Sequence, residues 1–263
     1  DERYEEMENL DDFTYYYGFV ALMEAQADYV EGKYLLGFDT YDRQDYISQI
    51  PNIQCRVSLP SYFYIPAELY YEFGPILADE ILKNGKMEAL NNALFGYINN
   101  GLNTLPTSEQ IYDPARFFID ERYEELTSKT IELDNYILID EGSFGALDLV
   151  YLMQDKIGQT NAINAAVGIG GGNWKDYEDS SGNLLMTLKL TGDDKNELQE
   201  IYEAFTLWAN AQSRFSSSES YLNGSLFKGS TNFWIYSDQS FIRIVLSQDL
   251  ELLNSISDQL NEF

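Results

Sequence analysis

The stretch GIGGGNWKDYEDSSGNLLMTLKL, residues 168–190, decides the class of the fold. Before it, apolar residues recur at spacings of three and four, the pattern of helices buried along one face. From Gly168 onward the period drops toward two. Residues 174–178 and 184–190 read as strands joined by the turn Ser180-Ser181-Gly182, which makes a β-hairpin. A second hairpin is predicted from 233–236 and 241–246 about Ser237-Asp238-Gln239. The prediction is an α+β protein with a mainly helical region over 1–167 and an α+β region over 168–263. The two hairpins would form a small antiparallel sheet packed by helices, and the two regions one compact unit.

Working back from that stretch, Phe13, Tyr16, Val20, Met23, Ala27, Val30 and Tyr34 form one helical stripe that Gly37 ends. Residues 39–60 read as a long connection with a short strand at 55–57. Pro75 opens a helix with Ile76, Leu77 and Ile81 on one face and Asn84-Gly85 as its stop. A further helix runs over about 87–97, before the turn Asn99-Asn100-Gly101. Thr107-Ser108-Glu109-Gln110 has the capping-box pattern, and Asp113-Pro114 sets an N-cap before a proline at the first helical position. Residues 133–139 read as strand or extended chain. Phe144, Leu147, Tyr151 and Leu152 mark a helix closed by Gly158, and 162–167 a shorter one. Asp193 or Asp194 caps a helix carrying Leu198, Ile201, Tyr202, Phe205 and Trp208. Residues 213–221 read as a polar loop, and 250–260 as a final amphipathic helix.

Charge narrows the function. The net charge of −28 is spread along the whole chain, so the surface is acidic and nucleic-acid backbones are repelled. Such a surface suits salt or divalent cations, which screen self-repulsion beyond about 8 Å at physiological ionic strength. No run approaches the roughly 18 apolar residues that span a bilayer, and a soluble chain is expected. Asp1-Glu2-Arg3-Tyr4-Glu5-Glu6 is the opposite of a signal peptide, and the absence of an initial Met leaves room for a leader or longer region upstream. The single Cys55 excludes an intramolecular disulfide and reads as a small buried hydrophobe.

Chemistry is limited by an absence: the chain contains no histidine. Ser-His-Asp triads, Cys-His pairs and histidine zinc sites are therefore excluded. Gly168-Ile169-Gly170-Gly171-Gly172 does not suit a dinucleotide loop, because a helix precedes it and a strand follows; it reads as a turn. Asp176-Tyr177-Glu178-Asp179-Ser180-Ser181-Gly182 lacks the EF-hand spacing and reads as a hairpin turn, where Asp176, Glu178 and Asp179 would hold a surface Ca²⁺ weakly. Glu24, Asp28 and Glu31 follow helical spacing beside the first stripe and read as a solvated acidic face. Asn223-Gly224-Ser225 has the form of a glycosylation sequon.

Five segments add a family resemblance: Ala21-Leu22-Met23-Glu24-Ala25-Gln26-Ala27, Tyr71-Glu72-Phe73-Gly74, Pro106-Thr107-Ser108-Glu109-Gln110-Ile111-Tyr112-Asp113-Pro114, Gly142-Ser143-Phe144-Gly145, and Ala165-Ala166-Val167-Gly168-Ile169-Gly170-Gly171. In this order, over roughly 21–208, they resemble a family of secreted, archaeal and bacterial, gluzincin-like zinc-metallopeptidase-like proteins. The resemblance implies that Glu24 stands at the third zinc ligand's position, while Asp113 replaces a family histidine and Ala25-Gln26 a Gly-Asp pair. The family's His-Glu-x-x-His is missing. This implies a scaffold without zinc chemistry, or a catalytic helix upstream of the chain.

The resulting expectation is a non-catalytic, metallopeptidase-like protein, extracellular or at the cell surface. It would bind a peptide or protein partner through Glu24, Asp28, Glu109 and Asp113, in a remnant cleft near 106–114. The alternative is a structural subunit of an acidic, cation-bridged assembly, self-associating with calcium and using its 21 Tyr and 15 Phe as contact area. A carboxylate-based hydrolase would need two close acids in a deep cleft. No catalytic residue, no zinc, no cofactor beyond calcium, no nucleic acid and no membrane span are expected.

Overall fold

The computed structural model describes residues 13–49, 64–96, 98, 104–119 and 121–259. The strand expected at 55–57 and the turn at 99–101 lie outside them. The chain divides into two compact units, Tyr15–Ile119 and a second that holds the described residues from 121 onward. The change of period at 167/168 does not coincide with this division. The helices just before it pack against one that contacts the sheet, so they belong with the strands.

The first unit is helical. Helix α1 (Phe13–Leu36) ends before Gly37 as its sequence requires, but it buries Tyr15, Phe19, Val20, Ala21, Leu22 and Ala25, of which only Val20 belongs to the expected stripe. Met23, Val30 and Tyr34, expected inside, are exposed. The helix is apolar on more than one side, so periodicity fits two stripes, and close backbone packing selects one. A Cβ on Gly18 would lie 1.7 Å from the Pro106 carbonyl oxygen, and one on Gly74 would lie 2.7 Å from that of Ala21. The supposed connection carries helix α2 (Thr40–Gln49), started by Asp39, whose carboxylate accepts from the Tyr41 and Asp42 N–H groups at 2.8 and 2.9 Å. It buries no residue, which is why no apolar stripe announced it.

Helix α3 (Ile65–Glu68) passes through a π-helical turn, Leu69–Phe73, into α4 (Gly74–Phe95). Lys86, at φ 60°, breaks α4 just past the predicted Asn84-Gly85 stop. Leu77, Ala78 and Ile81 are buried there, whereas Ile76 faces solvent. Both predicted caps form: Thr107 and Gln110 bond reciprocally at the head of α5 (Ser108–Tyr112), and Asp113 starts α6 (Pro114–Phe118).

The second unit is α+β, with a larger sheet than two hairpins supply. It comprises β1 (Tyr136–Ser143), α7 (Ala146–Ile157), α8 (Gln159–Ala166), β2 (Ile169–Asp179), β3 (Leu184–Gly192), α9 (Lys195–Ala211), β4 (Phe215–Tyr221), β5 (Gly224–Gly229), β6 (Asn232–Ser237), β7 (Ile242–Ser247) and α10 (Leu250–Ser255). The order across the seven-stranded sheet is β1-β2-β3-β7-β6-β5-β4, and every neighbouring pair is antiparallel.

The expected hairpins are β2–β3 and β6–β7. The polar loop at 213–221 is instead strand β4, whose serines are exposed and so show no alternation. It turns into β5 through a two-residue loop, Leu222-Asn223, at φ 45° and 63°, both left-handed. The glycine run 168–172 is not a turn: most of it opens β2. A Cβ on Gly171 would sit 2.0 Å from the Glu124 carbonyl oxygen and one on Gly172 2.6 Å from that of Phe144, so the bare backbone admits two crossing segments. The final helix stops at Ser255, short of 260.

Each face of the sheet is covered. On one, Phe205 and Trp208 of α9 pack against Phe233, beside Phe215 and Phe227. On the other, Tyr177, Leu185, Leu226, Trp234 and Val245 meet Leu252, Leu253 and Ile256, with Ile131 from the segment before β1. Tyr123 ties that segment down: its hydroxyl donates to the Gly172 carbonyl at 2.5 Å and accepts from the Gly172 and Phe144 N–H groups at 3.0 and 3.3 Å.

Candidate binding edge

The carboxylates singled out in the first unit fall into two pairs. Glu24 is half-buried and Asp28 exposed on α1; both face Tyr71, whose hydroxyl is raised above its ordinary range by desolvation, then by Glu24, which it hydrogen-bonds, and by Asp28. Glu109 and Asp113 are gathered by Arg116, at 3.4 and 3.5 Å. Glu109 is only 5% exposed, and Asp113 also caps α6 through the Ala115 N–H at 3.1 Å. These groups hold helix ends together, which explains the same residues structurally.

In the second unit, Asp176, Glu178 and Asp179 do not converge. Strand alternation sends Asp176 and Glu178 to one face of β2, where Asp176 stands opposite Asp140 of β1. Burial, then Asp140, raises its carboxyl. Asp179 turns into the hairpin, accepting from the Ser181 and Asn183 N–H groups and the Asn183 side chain; the Asn183 bonds lead in lowering its carboxyl.

The strand expected over 133–139 forms as β1, and what sequence reasoning did not show is its place in the sheet. β1 is one edge of the sheet and carries Ile137, Leu138 and Ile139 at 68%, 36% and 47% exposure. Leu138 pairs with Tyr177 and Asp140 with Asp176, leaving Ile139 as a bulge. Beyond the bulge the edge is closed by its own groups: the Glu141 N–H donates to the Asp140 carboxylate at 2.9 Å, and the Glu141 carboxylate pairs with buried Lys175. The part with no described strand beside it is therefore residues 136–139, of which the Tyr136 N–H already donates to the Leu133 carbonyl at 3.3 Å. The opposite edge, β4, presents Ser216, Ser217, Ser218, Glu219 and Ser220 to solvent.

Beside β1 lies a cleft of about 700 Å³ between residues 130–138 and the end of the chain's last helix, lined by Glu132, Asp134, Tyr136, Leu138, Leu252 and Gln259 among others. The Gln259 amide holds its wall by donating to the Glu132 carbonyl and accepting from the Glu132 N–H, both at 2.9 Å. Burial raises the Tyr136 hydroxyl, and Asp179 and Asp249 add to this.

Among the described residues, no helix is long and apolar enough to cross a membrane. Comparison of the chain with protein-family models, curated proteins and solved structures finds no match in any of the three.

Proposed function

We propose that this chain is a non-catalytic binding protein that captures an extended segment of a partner protein by adding it as a strand along β1. The observation that carries this reading is the contrast between the two sheet edges. Edge strands are normally protected by polar or charged side chains, as β4 is. On β1 three consecutive aliphatic side chains stand beside backbone that no described strand pairs on its outer side, the arrangement through which sheets recruit peptides. The lack of histidine and the structural use of Glu109 and Asp113 also favour binding over catalysis. In this reading the metallopeptidase-like resemblance would mark a scaffold without its zinc ligands, whose binding edge lies outside the segments that carry the resemblance.

The test is amide hydrogen exchange with an alternating Lys-Val peptide. Slowed exchange at 136–139, lost in Ile139→Pro, is expected; proline at the bulge removes a donor where β2 supplies no register partner. Unchanged exchange at 136–139 with bound peptide would overturn the proposal.

A further inference from the structure

Resting on β1 as the docking edge, we infer that its partner strand is basic, with Lys or Arg side chains alternating with apolar ones. A strand laid along β1 sends successive side chains to opposite faces of the sheet. On one face the cross-strand row Ile137, Glu178, Leu184 offers exposed aliphatic surface at both ends. On the other, Tyr136 and Leu138 border the 700 Å³ cleft, so every second side chain of the added strand enters it.

That cleft has the chemistry of a long cationic side chain. Leu138, Tyr177 and Leu252 provide apolar wall for a methylene stem, and among the described residues no Lys or Arg lines it. The side chains of Glu132 and Asp134 pair with no cation among the described residues. The Gln259 clasp engages only the Glu132 backbone and leaves its carboxylate available. Asp179 and Asp249 add negative charge near Tyr136. An acidic strand would be repelled, and a neutral one would leave these charges unanswered. A second copy of this chain suits the edge poorly, because it brings another −28 charges and an Asp140 of its own.

The experiment compares a Lys-Val alternating peptide, its Gln-Val counterpart, and the Lys-Val peptide N-methylated on alternate amides, titrated against the whole chain by anisotropy at low and high salt. The Lys-Val peptide should bind about tenfold tighter than Gln-Val at low salt. Glu132→Gln with Asp134→Asn should bring the two within about twofold, because the Lys-Val peptide loses the charges it pairs with. N-methylation should abolish binding. Equal affinity for Lys-Val and Gln-Val, with N-methylation still blocking both, overturns the basic partner and leaves the docking edge standing. Undiminished binding of the N-methylated peptide overturns the edge itself. Concentration-dependent dimers that Ile139→Pro dissolves, with no peptide bound, overturn both in favour of self-association.

Discussion

Replacing Asp148 with asparagine should stabilise the second unit near neutral pH, against the usual cost of losing a helix-start carboxylate. Asp148 sits in the first turn of α7 and accepts from the Gly145 N–H at 2.8 Å. Burial outweighs that bond and pushes its carboxyl from an ordinary 3.8 up to about 6. The folded value lies above the unfolded one, so the protonated form is favoured by folding. Its stabilising contribution is complete below 3.8 and is lost as pH rises through about 6. The full loss is about 3 kcal/mol, of which about 1.4 kcal/mol falls between roughly pH 5 and 7.5. An asparagine side chain keeps an acceptor for the Gly145 N–H and ionises at no pH, so Asp148→Asn escapes this loss.

Urea unfolding followed by tryptophan fluorescence reads this unit alone, because Trp174, Trp208 and Trp234 all lie within it. Working above pH 5 keeps clear of the isoelectric point near 4.1. The stability difference, variant minus wild type, should grow by about 1–1.5 kcal/mol from roughly pH 5 to 7.5. A difference constant across that range would refute the assignment of burial as the dominant influence on Asp148.

Tyr123→Phe removes the hydroxyl that bridges Gly172 and Phe144 and takes this partner from the Gly172 N–H, while the Phe144 N–H keeps its 3.0 Å bond to the Gly172 carbonyl; a loss of about 1–2 kcal/mol in the same unfolding assay is expected. A loss below about 0.5 kcal/mol would show that the backbone groups find other partners. Gly171→Ala places a methyl against the Glu124 backbone, so unfolding should shift by about 3 kcal/mol or more, with soluble yield falling. Wild-type stability would mean that the 121–124 segment does not cross β2 there.

Local signals were legible wherever a residue acts on its own neighbours. The Thr107 box, the Asp113 and Asp194 caps, the Gly158 helix stop and the 180–182 turn all formed, because each is satisfied within a few residues. The hairpin at Leu222-Asn223 had no such signal, because the serine strand before it gives no apolar alternation. The open edge could not be read this way. Tyr136-Ile137-Leu138-Ile139 looks like any apolar strand, and such a run is normally covered on both sides.

By itself, then, the sequence determined an α+β chain, acidic throughout, free of histidine chemistry, with its caps and turns in place. Tertiary structure alone decided which stripe of α1 is buried, why Gly171 and Gly172 lie in a strand, and that residues 136–139 end the sheet. Those outcomes depend on contacts between residues far apart in the chain: Gly18 with Pro106, Gly171 with Glu124, and Leu138 with Tyr177. Periodicity and propensity report what a segment can bury, and only the packed partner decides which side of it remains open.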